Sequence, residues 1–241
     1  MKKQDICLLL RENPYPGRGI ILGRSCDNMK AVIAYFIMGR SENSRNRIFV
    51  ETEDGIKTQA HDPKKMSDPS LVIYHPVRRL ETDGGVVCIV TNGDQTDTLR
   101  DYISSGQNYL DALHTRTFEP DAPNYTPRIS GLLFPGGAYM LSIIKAQGAN
   151  PDCCLRHFFT YDAPLPGTGH FIHTYIGDGI PLPAYEGEPV YAGLDCGYRE
   201  LADRLWEAMD KENRVSLYVS EMSIDTGRRE SIIINKLMRC I

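Results

Sequence analysis

The sequence predicts an α+β protein with two mostly antiparallel sheets, on the basis of three observations. Short apolar runs of strand length alternate with turn-forming residues along the 241-residue chain, and most neighbouring runs are joined as hairpins. Two longer segments, residues 97–115 and 197–211, place apolar residues at helical spacing. Several strands are apolar on both faces, so we expect two sheets packed face to face with helices outside them, a four-layer αββα sandwich.

The composition argues against several classes of protein. With 41% hydrophobic and 24% charged residues, the chain resembles an ordinary soluble protein. The formal net charge of -4 argues against a general binder of nucleic acids or membrane surfaces, so neither is an expected partner. No run approaches the roughly 18 apolar residues of a membrane span, and the apolar stretch near the N-terminus is too short for a signal peptide. We therefore expect a cytoplasmic protein in which residues 1–241 form a single domain.

The seven cysteines predict reduced thiols rather than a disulfide framework or a zinc site. Their number is odd and no Cys-x-x-Cys spacing occurs, as in many cytoplasmic proteins. His170 and His173 offer two metal ligands, but no third ligand lies close to them in the sequence, so no metal is expected. The cysteines are Cys7, Cys26, Cys88, Cys153, Cys154, Cys196 and Cys240.

The first elements are strands and loops. Residues 6–10 are a short apolar run that ends at a proline-rich stretch. Residues 18–23 and 31–38 are near-continuous apolar runs joined by a turn, so we expect a hairpin that is buried on both faces. After a polar segment rich in arginine, the chain returns to a strand at residues 47–51. Residues 57–69 are polar and contain prolines, which predicts a loop.

The middle of the chain adds two strands, a helix and a stiff loop. Residues 70–74 and 85–91 read as strands, and an Asn-Gly-Asp turn ends the second one. Helical spacing of apolar residues then predicts one helix over residues 97–115, with Gly106 on its apolar face. Residues 118–127 contain three prolines, which predicts an extended loop.

The C-terminal part continues the pattern of hairpins. Residues 163–189 are rich in Pro and Gly and have little periodicity, which predicts a long loop. Residues 197–211 predict an amphipathic helix whose inward positions include Leu205 and Trp206. Further strands are predicted at residues 129–134, 138–145, 154–162, 215–224 and 229–234.

The polar segment at residues 38–47 is the first candidate site. Arginine offers five N–H donors in a planar fork that matches phosphate or carboxylate oxygens, and Asn and Ser add neutral donors. The segment is therefore a candidate anion-holding loop, although a solvated hairpin tip explains the same composition. Its candidate residues are Arg40, Asn43, Arg45, Asn46 and Arg47.

Three further places offer candidate residues. The turn at residues 92–97 lies between a buried strand and a helix N-terminus, whose unpaired N–H groups attract anions, but a plain capping turn has the same features. The glutamate of the stiff loop suits a general base or a partner for an arginine, and also a solvated loop. The tyrosine that ends residues 70–74 suits proton transfer or the edge of the core. These candidates are Tyr74, Asn92, Gly93, Thr96, Asp97, Glu119, Thr126 and Arg128.

Four motifs in the first half of the chain resemble the archaeal-type IMP cyclohydrolase family. They are, in the family's order, GR…AYFIMGRSENSRNR, IYHPVR, VTNGDQTDT and FEPDAPNYTPRISG. They run over residues 18–131, and the NGxxTDT and TPRI elements are the most specific. The chain departs from the archaeal motif at His75, where that motif has Asn. The second half resembles archaeal members only weakly and is closer to bacterial relatives.

The resemblance implies both a fold and a reaction. The fold is the αββα fold of N-terminal-nucleophile hydrolases without their catalytic first residue, since no Ser, Thr or Cys directly follows Met1. In the reaction, the carboxamide nitrogen of 5-formamidoimidazole-4-carboxamide ribonucleotide (FAICAR) attacks the formyl carbon, and water leaves to give inosine 5′-monophosphate (IMP). The implied partner is a purine mononucleotide, no cofactor is implied, and a homo-oligomer is compatible with it.

The resemblance also assigns roles. Arg47 would orient and stabilise the formyl oxygen, Tyr74 would transfer a proton, and Glu119 would fix Arg47 or accept a proton. The remaining candidates would hold the nucleotide. Two alternatives stay open: a family member that binds or senses purine nucleotides without catalysis, and an oligomeric structural protein whose polar loops solvate its surface.

Overall fold

The structure, a computed structural model, describes residues 2–148 and 150–238. Within them it has thirteen strands and five α-helices. The helices are α1 (Ile6–Glu12), α2 (Glu42–Arg45), α3 (Gln95–Ser104), α4 (Tyr109–His114) and α5 (Tyr198–Ala208). The strands are β1 (Arg18–Arg24), β2 (Lys30–Met38), β3 (Arg47–Thr52), β4 (Gly55–Ala60), β5 (Val77–Thr82), β6 (Gly85–Thr91), β7 (Arg128–Leu133), β8 (Tyr139–Gln147), β9 (Asn150–Tyr161), β10 (Thr168–His173), β11 (Val190–Gly193), β12 (Arg214–Ser223) and β13 (Arg229–Asn235).

The strands form two sheets, and the predicted α+β class is confirmed. The first sheet has six strands in the order β11-β10-β1-β2-β12-β13. The second has seven strands in sequence order, from β3 to β9. All the paired strands within the two sheets run antiparallel. The predicted hairpins β1–β2, β7–β8 and β12–β13 are all present.

Side chains of β1 and β2 are buried on both faces, as predicted. Successive side chains of a strand point to opposite faces, so one strand can serve two cores. Ile21 packs in a cluster with residues of α1 and α5, whereas Ile20 and Leu22 pack in a cluster shared with the second sheet. This double burial explains why the two runs are almost continuously apolar.

Three apolar clusters separate the helices and the sheets. Leu10 and Trp206 belong to the cluster between α1, α5 and the first sheet. Ile20 belongs to the cluster between the two sheets. Leu99 and Leu132 belong to the cluster between the second sheet and the helices α3 and α4. Helices therefore cover the outer face of each sheet.

Several predicted strands and loops are wrong. Residues 70–74 form turns rather than a strand, and the predicted loop at residues 57–69 begins inside β4. The strand β10 lies within the predicted loop at residues 163–189, while β5 and β11 have no counterpart in the prediction. These strands are short, and β4 and β5 are partly exposed. Because polar residues of β4 and β5 face solvent, these two strands lack the apolar pattern on which the predictions depend.

One helix prediction needs correction, and one apolar run without an assignment proves to be a helix. The helix predicted over residues 97–115 is two helices, α3 and α4, because Gly106 between them adopts a positive φ of 70°. Glycine adopts this left-handed conformation without steric cost, and it ends an α-helix. The apolar run at residues 6–10 forms α1, which Asp5 caps by accepting hydrogen bonds from the backbone N–H groups of the first turn.

The arginine segment is not the tip of a hairpin. It connects β2 of the first sheet to β3 of the second and contains the short helix α2, capped by Ser41. In the described part of the chain, no helix has the length and apolarity that crossing a membrane requires. The described cysteines are free, whereas Met1 and Cys240 lie outside the described residues.

Candidate active site

Arg47, Tyr74 and Glu119 come from separate segments and are all buried. Arg47 begins β3, Tyr74 lies in the turn before β5, and Glu119 lies in the loop before β7. Their exposed fractions are 0%, 6% and 2%. The charges of Arg18 and Arg47 influence the pKa of Glu119, and Arg18 and Tyr74 influence the pKa of Arg47. The four groups therefore lie near one another. We call Arg18, Arg47, Tyr74 and Glu119 the buried cluster.

The Arg47 side chain is held by backbone oxygens on one side only. Its Nε donates to Ser44 O at 2.8 Å and its Nη2 approaches Met38 O at 3.5 Å. The Nη1 atom is buried and has no partner. Burial, and then the charge of Arg18, lower the pKa of Arg47, but arginine stays protonated in proteins. One face of the guanidinium is therefore fixed while the other can donate to a ligand.

Tyr74 is fixed at its backbone and at its hydroxyl. Its N–H donates to Thr58 Oγ1 at 2.8 Å, and its carbonyl accepts from Thr58 N at 2.9 Å. Its hydroxyl lies 2.7 Å from the hydroxyl of Tyr35. These bonds hold the phenol in one place although residues 70–74 are not a strand.

The carboxyl of Glu119 is buried without a partner. Its Oε1 atom has no hydrogen bond, and Glu119 forms no ion pair with another described residue. Its backbone N–H donates to Thr126 O at 2.9 Å, which closes the loop on itself. Burial raises the pKa of Glu119 to about 7, against the lowering effect of Arg18, Arg128 and Arg47. A carboxyl with this pKa can take or give a proton near neutral pH.

Arg18 joins the cluster from the first residue of β1, with an exposed fraction of 8%. Its backbone N–H donates to Thr174 Oγ1 at 3.1 Å. Burial disfavours the charged form, but Glu119 and the phenols of Tyr15 and Tyr175 outweigh burial and raise the pKa of Arg18. Arg18 is therefore a fixed positive charge facing Glu119.

The buried cluster and the neighbouring Arg128 contain buried polar atoms that lack partners within the protein. A buried unpaired donor or acceptor costs about 1–3 kcal/mol, and more if the group is charged. Such groups are rare in native proteins, and each calls for an explanation. Here the atoms belong to side chains that lie around one place, and polar atoms of a bound molecule would satisfy them. They are Arg18 Nε, Arg47 Nη1, Glu119 Oε1 and Arg128 Nε.

The turn after β6 ties the loop of Glu119 to the second sheet. Asn92 donates to Pro127 O at 2.8 Å and accepts from Ile129 N at 2.8 Å. Thr96 donates to Gly93 O at 3.0 Å. Both side chains are fully buried and satisfied within the protein. They shape the turn, and their polar atoms are already occupied.

Gly93 and Arg128 bring this turn next to the buried cluster. Arg128 Nη1 donates to Asp94 Oδ1 and to Gln95 Oε1, both at 2.7 Å. A Cβ atom on Gly93 would lie 2.5 Å from Arg128 Nη1 and 3.3 Å from Glu119 Oε1. The absence of a side chain therefore allows the backbone of the turn to approach Glu119.

The sequence of the chain also matches a known protein family. Residues 15–227 match the family described as IMP cyclohydrolase-like protein.

The chain belongs to this family.

It is similar to three archaeal proteins named IMP cyclohydrolase. The identity is 30% over 139 residues with that of Methanosphaera stadtmanae, covering 56% of this chain and 65% of the relative. It is 32% over 131 residues with that of Methanococcus maripaludis, covering 52% and 61%. It is 26% over 174 residues with that of Methanopyrus kandleri, covering 70% and 79%. The chain thus spans less than two thirds of the length of the first two relatives.

In this IMP cyclohydrolase-like protein, Arg40 and Thr126 lie at the rim of the buried cluster. Arg40 stacks over the ring of Tyr15 at 5.0 Å and pairs with Asp178. Thr126 Oγ1 lies 2.5 Å from the hydroxyl of Tyr175, whose ring stacks on Tyr15 at 5.9 Å. The two tyrosines therefore link the candidate residues to Arg18, because both phenols favour its charged form and raise its pKa.

A cavity of about 560 Å³ lies beside this rim. Tyr125 and Ile176 line it, and they directly precede Thr126 and directly follow Tyr175. Lys145 also faces the cavity and donates to a backbone oxygen at 2.6 Å. Cavities of roughly 300–1,000 Å³ hold small molecules in many proteins.

Three candidate side chains of the arginine segment form hydrogen bonds with other parts of the protein. Asn43 and Asn46 donate to backbone oxygens within residues 62–68 at 3.0 and 2.7 Å. Arg45 is exposed and donates to Gly39 O at 2.9 Å. The structure does not bring these side chains to the buried cluster. Their bonds fix the segment that carries Arg40 and Arg47.

Asp97 belongs to a network behind Tyr74 rather than to the buried cluster. It pairs with Arg78 Nε at 2.9 Å, and Arg78 also pairs with Asp54 at 2.7 Å. Arg78 Nη2 lies 3.0 Å from Nδ1 of His75, the residue that departs from the archaeal motif. Burial and the charge of Arg78 lower the pKa of His75. The network therefore fixes the chain directly after Tyr74.

Four residues at or around the cluster are not among the candidates predicted from the sequence. Arg18 is part of the GR motif and Tyr35 belongs to the motif AYF, so the motifs contain a signal for both residues. Tyr15 lies two residues before the GR motif, within a stretch that looks like a turn. Tyr175 lies in residues 163–189, where no pattern allowed an assignment. Only the structure shows that these residues surround one place.

The two histidines considered as metal ligands lie on opposite faces of β10. His170 Nδ1 is 2.7 Å from the hydroxyl of Tyr139, whereas His173 Nδ1 is 2.8 Å from Tyr175 O. Within residues 2–148 and 150–238, no group of three or more His, Cys, Asp or Glu side chains could hold a metal ion.

Proposed function

We propose that this protein is an IMP cyclohydrolase, which closes the second purine ring of FAICAR to give IMP and water without a cofactor. The observation that carries the proposal is the buried, unpaired polar atoms of Arg47 and Glu119 beside the phenol of Tyr74. A substrate with oxygen and nitrogen atoms at those positions would supply the missing partners. The archaeal relatives named IMP cyclohydrolase support it. Residues 1–241 would work as a single domain.

The first step would form the new ring bond. Both reacting groups are already on one imidazole ring, so proximity is largely built into the substrate. The carboxamide nitrogen attacks the formyl carbon, and the electron pair of the C=O bond moves to oxygen. Arg47 would stabilise that oxygen through its free Nη1, and Tyr74 would give it a proton. Glu119 would take a proton from the attacking nitrogen.

The second step would expel water. The C–O bond breaks, and the former formyl oxygen leaves as water with the proton that Glu119 returns. A C=N bond forms to the former formamide nitrogen, which gives its proton to the phenolate of Tyr74. Both side chains end in the protonation states in which they began. General acid–base catalysis of this kind accelerates a reaction roughly 10²–10⁴-fold.

The nucleotide would be held around the cluster by residues of three segments. Arg40 and Thr126 lie at the rim, where Tyr125 beside Thr126 lines the cavity, and would contact the ribose phosphate. Arg128 and the backbone of the turn at residues 92–97 would approach the base beside Glu119. We propose a different role for three earlier candidates, which would hold the loop rather than the ligand: Asn43, Arg45 and Asn46.

We also propose that the molecule shares the αββα arrangement of N-terminal-nucleophile hydrolases. Two packed antiparallel sheets with helices on their outer faces support this. The protein would use that scaffold without an N-terminal nucleophile, because the proposed catalytic residues Arg47, Tyr74 and Glu119 all lie in interior segments.

The proposal is tested by an absorbance assay of ring closure with FAICAR. We expect turnover by the wild type and a loss of roughly 10²–10³ in kcat for Arg47→Ala, because an oxyanion donor is lost. Tyr74→Phe should lose about 10²-fold or more, because the proton donor is lost. Arg199→Ala, an exposed arginine on α5, is the control and should keep wild-type turnover.

The outcomes separate the alternatives. If Arg47→Ala and Tyr74→Phe both keep wild-type turnover, the assigned roles are wrong. A wild type that binds IMP tightly but never closes the ring would be a nucleotide-binding or sensing protein. Binding is measured by thermal unfolding, since IMP at 100 times its Kd stabilises by about 2.7 kcal/mol. Neither turnover nor stabilisation would indicate a structural protein.

A further inference from the structure

Two tyrosines form a buried hydroxyl pair that the roles assigned above do not use fully. The hydroxyls of Tyr35 and Tyr74 are 2.7 Å apart. Their exposed fractions are 0% and 6%, so water does not compete freely for this bond. Either hydroxyl can be the donor, and the surroundings decide which one is.

The ring of Tyr35 is held rigidly. It lies on β2, in register with Tyr218 of β12, and it stacks on Phe49 of β3 at 5.7 Å. Tyr74 has its backbone bound to Thr58. Because both rings are fixed, the direction of the bond between the two hydroxyls is fixed as well.

The charged groups around the pair favour one direction for this bond. Burial and the neighbouring Tyr74 raise the pKa of Tyr35 well above its ordinary value, against the opposing charges of Arg18 on β1 and Arg47 on β3. Tyr35 therefore keeps its proton. Tyr74 interacts electrostatically with the same two arginines, and so does Glu119 from the loop before β7. A phenolate on Tyr74 would be stabilised by both arginines and by the Tyr35 hydroxyl.

We propose that Tyr35 is a positioning residue for the reaction: its hydroxyl donates to Tyr74 Oη, directs the Tyr74 proton to the substrate and stabilises the phenolate that remains. The inference rests on the proposed function. Tyr74 gives its proton to the formyl oxygen and later regains one from the formamide nitrogen, while Tyr35 keeps its own proton throughout. No proton is gained or lost by the pair over one cycle.

The test is Tyr35→Phe, which keeps the ring and its packing on Phe49. Tyr218→Phe is the matched control, because Tyr218 is directly opposite on β12, is 1% exposed and has its hydroxyl 3.3 Å from Arg229 instead. We expect Tyr35→Phe to lower kcat on the order of tenfold or more with little change in KM, since a hydrogen bond to a developing charge is lost. Tyr218→Phe should keep the wild-type kcat.

A second readout needs no substrate. Tyrosine labelled with ¹³C at Cζ reports the ionisation of each phenol by NMR, and Tyr74→Phe identifies the signal of Tyr74. Tyr35→Phe should raise the pH at which Tyr74 ionises by about one unit or more, because its phenolate loses a donor. The reciprocal variant Tyr74→Phe should move the signal of Tyr35 and leave that of Tyr218 in place.

The two readouts keep the inference separate from the proposed function. Absence of FAICAR turnover in the wild type would count against the proposed function, while the NMR titration would still decide whether Tyr35 donates to Tyr74. The inference is overturned if Tyr74 ionises at the same pH in Tyr35→Phe and Tyr218→Phe. It is also overturned if both variants keep the wild-type kcat.

Discussion

Glu119, Arg18 and Arg47 are buried within reach of one another's charges, yet no ion pair joins them. Taking a charged group out of water costs several kcal/mol unless partners replace the water. A protein whose only requirement was stability would close these distances or use apolar side chains. We interpret the open arrangement as a site in which the partners are atoms of the ligand.

The first prediction concerns the pH dependence of the reaction. Burial raises the pKa of Glu119 from an ordinary 4.5 to about 7. If Glu119 accepts a proton, kcat/KM should rise with pH and level off above about 7 rather than near 4.5. Glu119→Gln should remove this rise and lower the rate by about 100-fold or more. The measurement is kcat/KM between about pH 5 and pH 9.

The same carboxyl should affect stability, which needs no substrate. Its raised pKa means that the folded protein holds the proton more tightly than the unfolded chain, so stability falls as pH rises from about 4.5 to about 7. Glu119→Gln cannot ionise. Its free energy of unfolding relative to wild type should therefore be higher at about pH 8 than at about pH 4, by roughly 3 kcal/mol. Parallel pH profiles for the two proteins would mean that Glu119 titrates normally.

The turn between β6 and α3 acts as one unit in the site. Asn92 anchors it to the start of β7, and Gly93 allows it to lie against Arg128 and Glu119. Its polar side chains are mostly satisfied by the protein itself. The contribution of this element is therefore shape, since it places backbone rather than side chains near the ligand.

The second prediction tests that close approach. A Cβ added at Gly93 would lie 2.5 Å from Arg128 Nη1 and 2.7 Å from Gln95 Oε1, well inside normal contact. Gly93→Ala should displace Arg128 and the neighbouring Glu119. We expect kcat/KM to fall by about tenfold or more but the free energy of unfolding by only about 1 kcal/mol, because the displaced atoms are the ends of side chains. Turnover and urea unfolding are the measurements.

Gly84→Ala is the matched control, since Gly84 lies at the tip of the β5–β6 hairpin. There the nearest atom to an added Cβ is 3.8 Å away, an ordinary contact. This variant should behave as wild type. A Gly93→Ala protein equal to it in rate and stability would show that the turn does not press on Arg128.

In the molecule as a whole, the site lies where the ends of both sheets meet. Arg18 begins β1 in the first sheet, while Arg47 begins β3 and Arg128 begins β7 in the second. The segment from β2 to β3 crosses between the sheets at this end. The packing of the sheets therefore sets the distances among the charged groups.

The third prediction concerns the edge at which the sheets are joined. Asn235 of β13 accepts from Phe49 N at 2.8 Å and donates to Phe49 O at 2.9 Å, so its amide pairs with β3 as a strand would. Asn235→Ala leaves both backbone groups unpaired and should lower the free energy of unfolding by about 2–4 kcal/mol. Urea unfolding measures this loss.

Ser216→Ala provides a graded comparison. Ser216 donates only to Asn235 Oδ1, at 2.7 Å, and its removal leaves the bonds to Phe49 intact. We expect a loss of about 1 kcal/mol. Equal losses in the two variants would contradict a bridging role for Asn235.

Local patterns were enough for much of the fold. The hairpins β1–β2, β7–β8 and β12–β13 were predicted because their apolar runs and turn residues are neighbours in the chain. The strands β4 and β10 were not predicted, because sheet hydrogen bonds rather than apolar side chains identify them. The break at Gly106 was missed because glycine is compatible with a helix until its φ is known.

The candidate site, like the fold, could be predicted from the sequence only in part. Motifs identified Arg47, Tyr74 and Glu119 as candidates, since those residues belong to short stretches that carry a family resemblance. That Arg47 Nη1 and Glu119 Oε1 lack partners, and that Tyr35 contacts Tyr74, could not be read from the chain, because these residues are far apart in sequence and meet only in the folded protein. Which side chain faces a core follows from a repeat of two along a strand, whereas which strand ends meet depends on the summed packing of residues far apart in sequence.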